Sequence, residues 1–496
     1  MINQYAPKNY NTCFVLFFLF LSFLVNAQIG IGTITPNASS VLDITSTTQG
    51  MLTPRMTTAQ RTAIATPADG LFVYDTDLKA FYFYSAGSSS WVAINSGVTP
   101  RLNFKRIRST DNLAVVLAAE LLAGGNTKYL LNTNTLYEIN GTVTFNFPIE
   151  LNNAYIQGLD PNEDVIRRTT GNIFEGTTGG GIKSVTLTAT AGSVFNLSGA
   201  ASQSLIFRDS VVSGSNNVGS VSGFGLVFLS IIQYVGNQNG VTYDNITRLL
   251  LSNTGWFNNN NGTYEKLTGT FTFVEKQGGF SQVDGTAIGF DVSTSGLTIT
   301  GDAVMESVVF TGSTTAGYVK GYTTGSYAGY NFNNSWNVRS AGIPTESDAS
   351  AVGDFAMDYA VGSGLAVVFN SSNPSDIVKV GSGTPSTTYS NLFRFSTDSP
   401  NRLRYLGKKK RIFQITGSIS FQVPFAGTYI IYIAKNGTVI SQYKIYGRGQ
   451  ATNDIVVLPL NASTELVSND YIEVYAQRFT GLTGNIVVPN MVITIK

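Results

Sequence analysis

The chain has 496 residues, of which 43% are hydrophobic and 12% are charged. This apolar share can fill large cores, so the chain is not a disordered one, and its length predicts about two to four domains. The 31 Lys and Arg residues balance 30 Asp and Glu residues, which leaves no long-range field to attract nucleic acid. The 51 glycines, with abundant Ser, Thr and Asn, are typical of a β-rich protein with many turns.

The sequence contains no histidine. Ser-His-Asp triads, a histidine general base and histidine metal ligands are therefore excluded. We predict no catalytic residue, no metal site and no cofactor. The single cysteine, Cys13, has no second cysteine with which to form a disulfide within the chain.

Residues 1–27 have the pattern of a signal peptide. Lys8 precedes an apolar run from Phe14 to Val25, and Ala27 is a small residue before the expected cut. A largely apolar run of 12 residues is short for a bilayer span, so we expect no stable membrane span after cleavage, with an uncleaved anchor as the alternative. Cys13 precedes the apolar run and is badly placed for a lipoprotein anchor. Loss of Lys8 would change the net charge from +1 to zero.

Residues 28–97 form the first predicted unit after the signal. Local propensities predict a short strand at 41–44 and a brief helix at 58–64. Two aromatic strands follow at 71–74 and 81–84, joined by a turn at Asp75-Thr76-Asp77.

This unit also carries a recognisable series of motifs, Gly30-Ile31-Gly32-Thr33, Leu42-Asp43-Ile44, Pro54-Arg55-Met56-Thr57 and Val73-Tyr74-Asp75-Thr76. In these motifs it resembles the N-terminal module of secreted surface proteins of Bacteroidetes bacteria, and also segments of phage tail fibres. The resemblance implies an attachment module in a fibre-like context and no particular activity. Turn and packing chemistry is the alternative explanation for the glycines and Pro54.

Residues 98–128 form a predicted connector. Asp111 is placed to cap a helix over 113–122, and Gly124-Gly125 is placed to end it. We expect this apolar helix to cover the open end of a β-stack.

Residues 129–349 have short β runs punctuated by glycine. An apolar-x-Gly step ends at Gly141, Gly158, Gly176, Gly199 and Gly223, with spacings of 17, 18, 23 and 24 residues. This near-period favours a parallel β-solenoid, which we predict to be a right-handed β-helix. Strands are predicted at 137–139, 143–147, 154–157, 182–190, 204–212, 226–234, 268–274 and 296–300. The phrase TLYEINGTVTFNFPIELNNAYIQG resembles the entry to the pectate-lyase-like β-helix of phage tail spikes.

Residues 350–496 have longer alternating strands, predicted at 412–423, 427–435, 439–447, 454–460, 470–478 and 485–495. Asn436-Gly437 predicts a type I′ hairpin, and the strand series predicts an antiparallel sandwich. The segments Gly427-Thr428-Tyr429 and Asn469-Asp470-Tyr471-Ile472 resemble the C1q and tumour-necrosis-factor type jelly roll. That resemblance implies a trimeric head, and an unrelated β-sandwich is the alternative. The fold class predicted for the whole chain is therefore all-β: a small N-terminal module, a parallel β-helix and a jelly-roll sandwich.

The solenoid region contains carboxylates that could serve a polysaccharide-cleaving enzyme, which needs two carboxyls facing one sugar bond. The candidates are Asp160, Glu163, Asp164, Glu175, Asp284, Asp291, Asp302 and Glu306. Asp302 and Glu306 could share a groove, but their spacing does not distinguish catalysis from solubility. The candidate bases for a uronate lyase are Lys183, Arg208 and Arg248.

Two features are candidates for binding. A cationic cluster with Arg394 at its start could grip an anionic glycan, or could protect a strand edge from pairing; its binding candidates are Arg402, Arg404, Lys408, Lys409, Lys410 and Arg411. Residues 317–340 could form a recognition loop, with Tyr322, Tyr327, Tyr330 and Trp336 as binding candidates. The alternative is a plain junction between domains.

The leading functional hypothesis is a non-catalytic homotrimeric surface fibre or adhesin that is secreted to the cell surface and binds glycans or a partner surface. The alternatives are a phage tail fibre or spike that binds a receptor as part of a virion, a β-helical polysaccharide depolymerase, and a self-assembling structural surface protein.

Overall fold

The computed structural model describes residues 28–94, 102–360, 362–370, 373, 375–381 and 387–496. The predicted signal peptide, including Cys13, lies outside the described residues. Contacts divide the chain into two units, residues 1–100 and 101–496. In the described ranges, no helix combines the length and apolar character that a membrane crossing requires.

The described residues of the first unit form two small sheets and one short helix. Its strands are Ile29–Ile31 parallel to Leu42–Ile44, and a separate sheet in the order Arg55–Met56, Phe72–Asp75, Ala80–Ser85 and Ser90–Ala93. The helix Thr58–Thr62 begins at a capping box, in which Thr57 accepts from the backbone N–H of Gln60 and the Gln60 side chain accepts from that of Thr57. The strands and helix predicted for this unit are confirmed, with ends shifted by one or two residues.

A buried ion pair organises this sheet. Arg61 lies 2.9 Å from Asp75 and stacks 4.0 Å above the ring of Tyr82. Burial raises the pKa of Asp75, but hydrogen bonds from the Leu78 N–H, from Arg61 and from other donors outweigh it and lower that pKa from 3.8 to about 2. Asp75 therefore remains ionised and holds the helix on the sheet.

The connector forms two short helices where the sequence predicts one. They are Leu113–Val116 and Ala118–Ala123, and the backbone departs from helical geometry at Leu117. The predicted cap at Asp111 is wrong: Asn112 caps the first helix, because the Asp111 carboxylate accepts from the N–H of Arg108 instead. Leu113 and Leu117 join the apolar core of the β-stack that follows.

That β-stack is a parallel solenoid with three faces, as the glycine punctuation predicts. Face A has the strands Phe104–Arg108, Leu136–Asn140, Tyr155–Gln157, Gly180–Lys183, Ser204–Ser213, Leu226–Val235, Arg248–Trp256, Phe273–Gln282, Ala303–Thr311 and Trp336–Ala341. Face B has Thr142–Thr144, Val165–Arg168 and Thr186–Ala189, and continues in the second halves of the long strands of face A. Face C has Tyr129–Leu130, Ile149–Glu150, Phe174–Gly176, Ser193–Ser198, Asn217–Ser222, Val241–Asp244, Thr263–Thr268, Ile288–Asp291 and Val319–Lys320. A further parallel pair joins Thr270–Phe271 to Thr298–Ile299.

The length of one coil differs from the predicted glycine spacing. Ile182, Phe207, Leu229 and Leu251 are in register on face A, which gives coils of 25, 22 and 22 residues. The glycine series is irregular because it changes face. Gly141 and Gly158 follow strands of face A, whereas Gly176 lies within a strand of face C.

The corner between faces A and B is a ladder of residues in the left-handed backbone region. It consists of Ser184, Asp209, Ile231, Asn253, Gly278 and Ser307, with φ between 50° and 64°. Asn, Asp and Gly residues tolerate this backbone region, but a β-branched residue is strained there. Ile231, at φ 56°, is thus the most strained member of the ladder.

The outer surface of face A has two columns of different character. We call the first the apolar column; its residues are paired in register and are Phe104, Leu136, Tyr155, Gly181, Ile206, Phe228, Leu250, Glu275 and Val304. Gly181 and the charged Glu275 interrupt its apolar side chains, and the polar Asn337 follows Val304 in the same register. The second, two residues further along each strand, is polar throughout: Arg106, Glu138, Gln157, Lys183, Arg208, Ser230, Ser252, Gln277, Glu306 and Arg339. The outer column of face C is also polar: Glu175, Asn196, Ser220, Thr242, Lys266, Asp291 and Lys320.

The inner columns are mainly apolar, and two charged side chains in them meet across the core. Lys276 stands in register between Leu251 and Met305 on face A. Glu265 stands between Val241 and Phe290 on face C. Their side chains, each 1% exposed, pair at 2.7 Å.

Two antiparallel sheets follow the solenoid and enclose one apolar core. Sheet D contains Thr387–Phe393, Val352–Asp358, Ile486–Ile495, Arg411–Gln422 and Ile455–Leu466, with Leu365–Val367 at its side. Sheet E contains Phe395–Ser396, Leu403–Tyr405, Tyr471–Gly481, Gly427–Lys435 and Thr438–Val439, with Ile377–Lys379 and Ile445–Gly449 at its sides. Short 3-10 helices are Thr315–Gly317, Asp348–Ser350 and Ser441–Tyr443. The predicted Asn436-Gly437 hairpin is confirmed, with φ of 52° and 77° at the two residues.

Candidate binding site at the junction of the solenoid and the C-terminal sheets

A groove of about 360 Å³ lies where the last coils of the solenoid meet the C-terminal sheets. We call it the junction groove. Its lining residues, most of which are polar, come from five segments of the chain: Phe273, Asp302, Ala303, Val304, Asn334, Ser335, Trp336, Asn337, Ser347, Asp348, Ala349, Lys408 and Lys409. The solenoid supplies one wall, and the segment that leads into the strand Arg411–Gln422 supplies the other.

Asp348 fixes the lysine segment against the solenoid. One carboxylate oxygen of Asp348 accepts from the backbone N–H groups of Lys408 and Lys409, each at 2.8 Å. The backbone carbonyl of Asp348 accepts from Arg411. Because these bonds use the backbone of both lysines, the two side chains are held at the rim of the groove.

Lys408 forms an ion pair across the junction. Its Nζ lies 2.9 Å from Asp302 and donates to the Gly301 carbonyl at 2.9 Å. The side chains of Lys408 and Asp302 are 46% and 71% exposed, so the pair is open to a ligand. Exposed pairs of this kind contribute about 1 kcal/mol or less to stability, which leaves their charges and hydrogen-bonding groups free to exchange partners.

Arg394 lies behind the groove and joins the last coils of the solenoid to the C-terminal sheets. Its guanidinium is 1% exposed and donates to the Asn334 side chain at 2.8 Å and to the Trp336 carbonyl at 2.6 Å. It lies 3.6 Å from Asp348. Glu346, buried nearby, accepts from two backbone N–H groups, yet burial still raises its pKa. Fixed charges and hydrogen bonds therefore make this wall rigid.

The aromatic candidates of residues 317–340 pack at the junction. Tyr330 stacks on Phe393 of sheet D at 4.1 Å, and Tyr327 meets the same ring edge-on at 5.3 Å. Tyr322 accepts a hydrogen bond from the Trp336 indole at 3.0 Å. Trp336 is 1% exposed, so it supports the groove floor, and the three tyrosines are partly buried.

The structure divides the predicted cationic cluster. Lys408 and Lys409 line the groove, and Arg411 lies beneath it. Arg402 and Arg404 instead flank the ring of Tyr471 at 3.8 Å and 5.1 Å, and pair with Glu473 and Asp398. Lys410 pairs with Glu465 at 3.4 Å.

No sequence pattern marked Asp348, Asn334 or Asn337 individually as binding residues. Ser347-Asp348 before Ala349-Ser350 indicates only a turn, which the structure shows as a 3-10 helix. Asn334 follows the tyrosine-rich segment, but its contact with the Leu406 carbonyl spans 72 positions. Contacts of this range leave no local signal.

The carboxylates of the solenoid are distributed over different surfaces. Asp302 lines the junction groove, whereas Glu306 stands in the polar column of face A and pairs with Arg339 at 2.7 Å. Asp164 holds the loop before it by accepting backbone N–H groups from Gly141 and Leu159. Within the described ranges, no three acidic or cysteine side chains are grouped so that they could hold a metal ion.

No curated protein matches the sequence. Among solved structures, murine APRIL matches with a TM-score of 0.20 and 11% identity over 29% of this chain and 98% of that chain. The PRD1 vertex protein P5 matches with a TM-score of 0.20 and 12% identity over 29% of this chain and 94% of that chain. The enzymatically active domain of bacteriophage CBA120 tailspike protein 4 matches with a TM-score of 0.24 and 9% identity over 90% of this chain and 77% of that chain. At these TM-scores, none of the three carries an argument about this chain.

The N-terminal part of the chain has a clearer match. Residues 30–110 match the sequence profile of a family described as phage tail like trimerisation region. The matched segment includes the strand Phe104–Arg108, with which face A of the solenoid begins. This part of the chain is therefore similar to a region that forms trimers in phage tail-like proteins.

Proposed function

We propose that the chain is the subunit of a homotrimeric protein resembling a tail fibre or tail spike, and that it binds a saccharide in the junction groove without cleaving it. The match of residues 30–110 supports the trimer, and the parallel solenoid fits such a protein. In this proposal the solenoid winds to the right, the C-terminal sheets form a jelly-roll head, and the protein acts outside the cell or on a virion.

The composition of the junction groove carries the saccharide proposal. Its polar side chains include both donors and acceptors, and the opposite charges of Lys408 and Asp302 lie 2.9 Å apart. A ligand with many hydroxyl groups can donate to Asp302 and accept from Lys408, whereas a highly charged polymer meets one repelling partner. The partly buried Phe273 adds an apolar surface against which a sugar ring can pack.

A glycan array tests this proposal with the full-length chain and two matched variants. Lys408→Ala removes the groove lysine, and Lys410→Ala removes a neighbouring lysine that pairs with Glu465 outside the groove. We expect the native chain to retain one class of bacterial surface saccharide, Lys408→Ala to weaken binding at least about tenfold, as loss of a charged hydrogen bond does, and Lys410→Ala to leave it unchanged. Equal binding by the native chain and Lys408→Ala would refute the groove as the site.

A second candidate function is polysaccharide depolymerisation, since Asp302 and Asp348 line the same groove. Two carboxyls that face one glycosidic bond are the minimum for hydrolysis. Release of reducing ends from a retained polysaccharide, abolished by Asp302→Asn, would replace the binding proposal with this one. Retention without any release supports binding alone.

A further inference from the structure

The apolar column on face A has an unusual composition for the outside of a solenoid, because seven of its nine residues have apolar or aromatic side chains and only Gly181 and Glu275 interrupt them. Each of its side chains points away from the core, because its neighbours in the strand, such as Phe207 and Leu229, are buried. Tyr155 and Ile206 are 53% and 37% exposed. The column beside it, and the outer column of face C, are polar.

The column also begins inside the segment that matches a trimerisation region. Its first residue, Phe104, lies within residues 30–110. From there the column runs in unbroken register through Leu136, Tyr155 and the later coils. The surface starts in the segment that matches a trimerisation region and continues along the solenoid. It is therefore suited to contact the same partner over its whole length.

We propose that the apolar column is the face by which each solenoid packs against the other two copies in the homotrimer. This rests on the proposed trimeric function and names its interface. Burying partly exposed apolar area against a second copy stabilises the assembly. The adjoining polar column, which carries both signs of charge, then forms the rim of the interface.

Cysteine accessibility in the assembled protein tests the interface. The background is the full-length chain with Cys13→Ser, which leaves no native cysteine. Tyr155→Cys and Ile206→Cys place a thiol in the apolar column, and Asn196→Cys places one on the exposed outer surface of face C. The mass of each variant is measured first by sedimentation equilibrium, and alkylation by a maleimide is then timed.

We expect trimers in which the two column thiols react at least tenfold more slowly than the Asn196→Cys thiol. Trimers whose column thiols react as fast as the control would overturn the interface and leave the trimer in place. Monomers in all variants, the background included, would overturn the interface together with the proposed trimer. If Tyr155→Cys alone fails to fold, Ile206→Cys provides the same comparison.

Discussion

The charged pair inside the solenoid core makes a sharp prediction about stability. Lys276 and Glu265 each replace an apolar residue in an inner column, and each side chain is 1% exposed. Lys276 also lies 5.0 Å above the ring of Tyr264. Burial raises the pKa of the Tyr264 hydroxyl well above its ordinary value, so the tyrosine stays neutral and the two charges balance one another.

Replacing one partner leaves the other charge buried without compensation. We expect Lys276→Leu or Glu265→Leu to lower the free energy of unfolding by about 3–5 kcal/mol. The double variant restores two apolar columns, and replacement of both partners of a buried pair is often neutral or stabilising by about 1–4 kcal/mol. The double variant is therefore expected to be at least as stable as the native chain.

Urea unfolding followed by circular dichroism measures these differences as a double-mutant cycle. Lys266→Leu is the matched control, because Lys266 is adjacent to Glu265 but stands in the outer column of face C; surface changes of this kind shift stability by about 0.5 kcal/mol or less. If the single variants lower the free energy of unfolding no more than the control does, the idea that the pair is desolvated is refuted. A double variant that is less stable than both single variants would refute the prediction that two apolar side chains can replace the charged pair.

Three further predictions concern other parts of the fold. Arg394→Met should speed hydrogen exchange of the Asn331 and Phe332 amides about a hundredfold or more, since a lost buried charge costs about 3–5 kcal/mol. The control Arg404→Met should leave these exchange rates unchanged, and equal rates in the two variants would contradict the role of Arg394. The lowered pKa of Asp75 stabilises the first unit above pH 4, and this contribution is lost as pH falls from 3.8 towards 2. Pepsin cleavage of residues 55–93, measured relative to an unstructured reference peptide at each pH, should therefore increase across that window in the native chain and show no such increase in Asp75→Asn. Ile231→Asn should raise the unfolding free energy by about 1 kcal/mol, because Asn tolerates φ near 56°; a loss of stability would contradict backbone strain at this corner.

Elements with local signals were predicted from the sequence. The brief helix predicted at 58–64 and the Asn436-Gly437 hairpin both form, since both depend on contacts within four positions. The solenoid was predicted as a class because short apolar strands with glycine punctuation have few other stable arrangements. Its right-handed winding stays a prediction.

The solenoid corners could not be read from the sequence. Residues 182–190 were predicted as one strand, but Ser184 adopts φ 55° and divides it in two. The predicted strand at 268–274 is divided among Thr263–Thr268, Thr270–Phe271 and Phe273–Gln282, with Gly269 at φ 73° in the first break. At most corners between faces A and B the residue in the left-handed region is Ser, Asp, Ile or Asn and not glycine. The spacing of glycines therefore did not reveal the repeat at these corners.

The junction groove was predicted in part. Lys408, Lys409 and Trp336 were among the candidates, and the junction alternative for residues 317–340 agrees with the packing of Tyr330 on Phe393. The sequence could not separate Lys408 from Arg402, because only the folded chain carries one to the groove and the other to Tyr471.

The most direct test of the account is the mass of the full-length chain in solution by sedimentation equilibrium. We expect a mass three times that of the protomer at concentrations above those at which a trimer would dissociate. A protomer mass that persists at high concentration would contradict the trimer, and with it the interface along the apolar column.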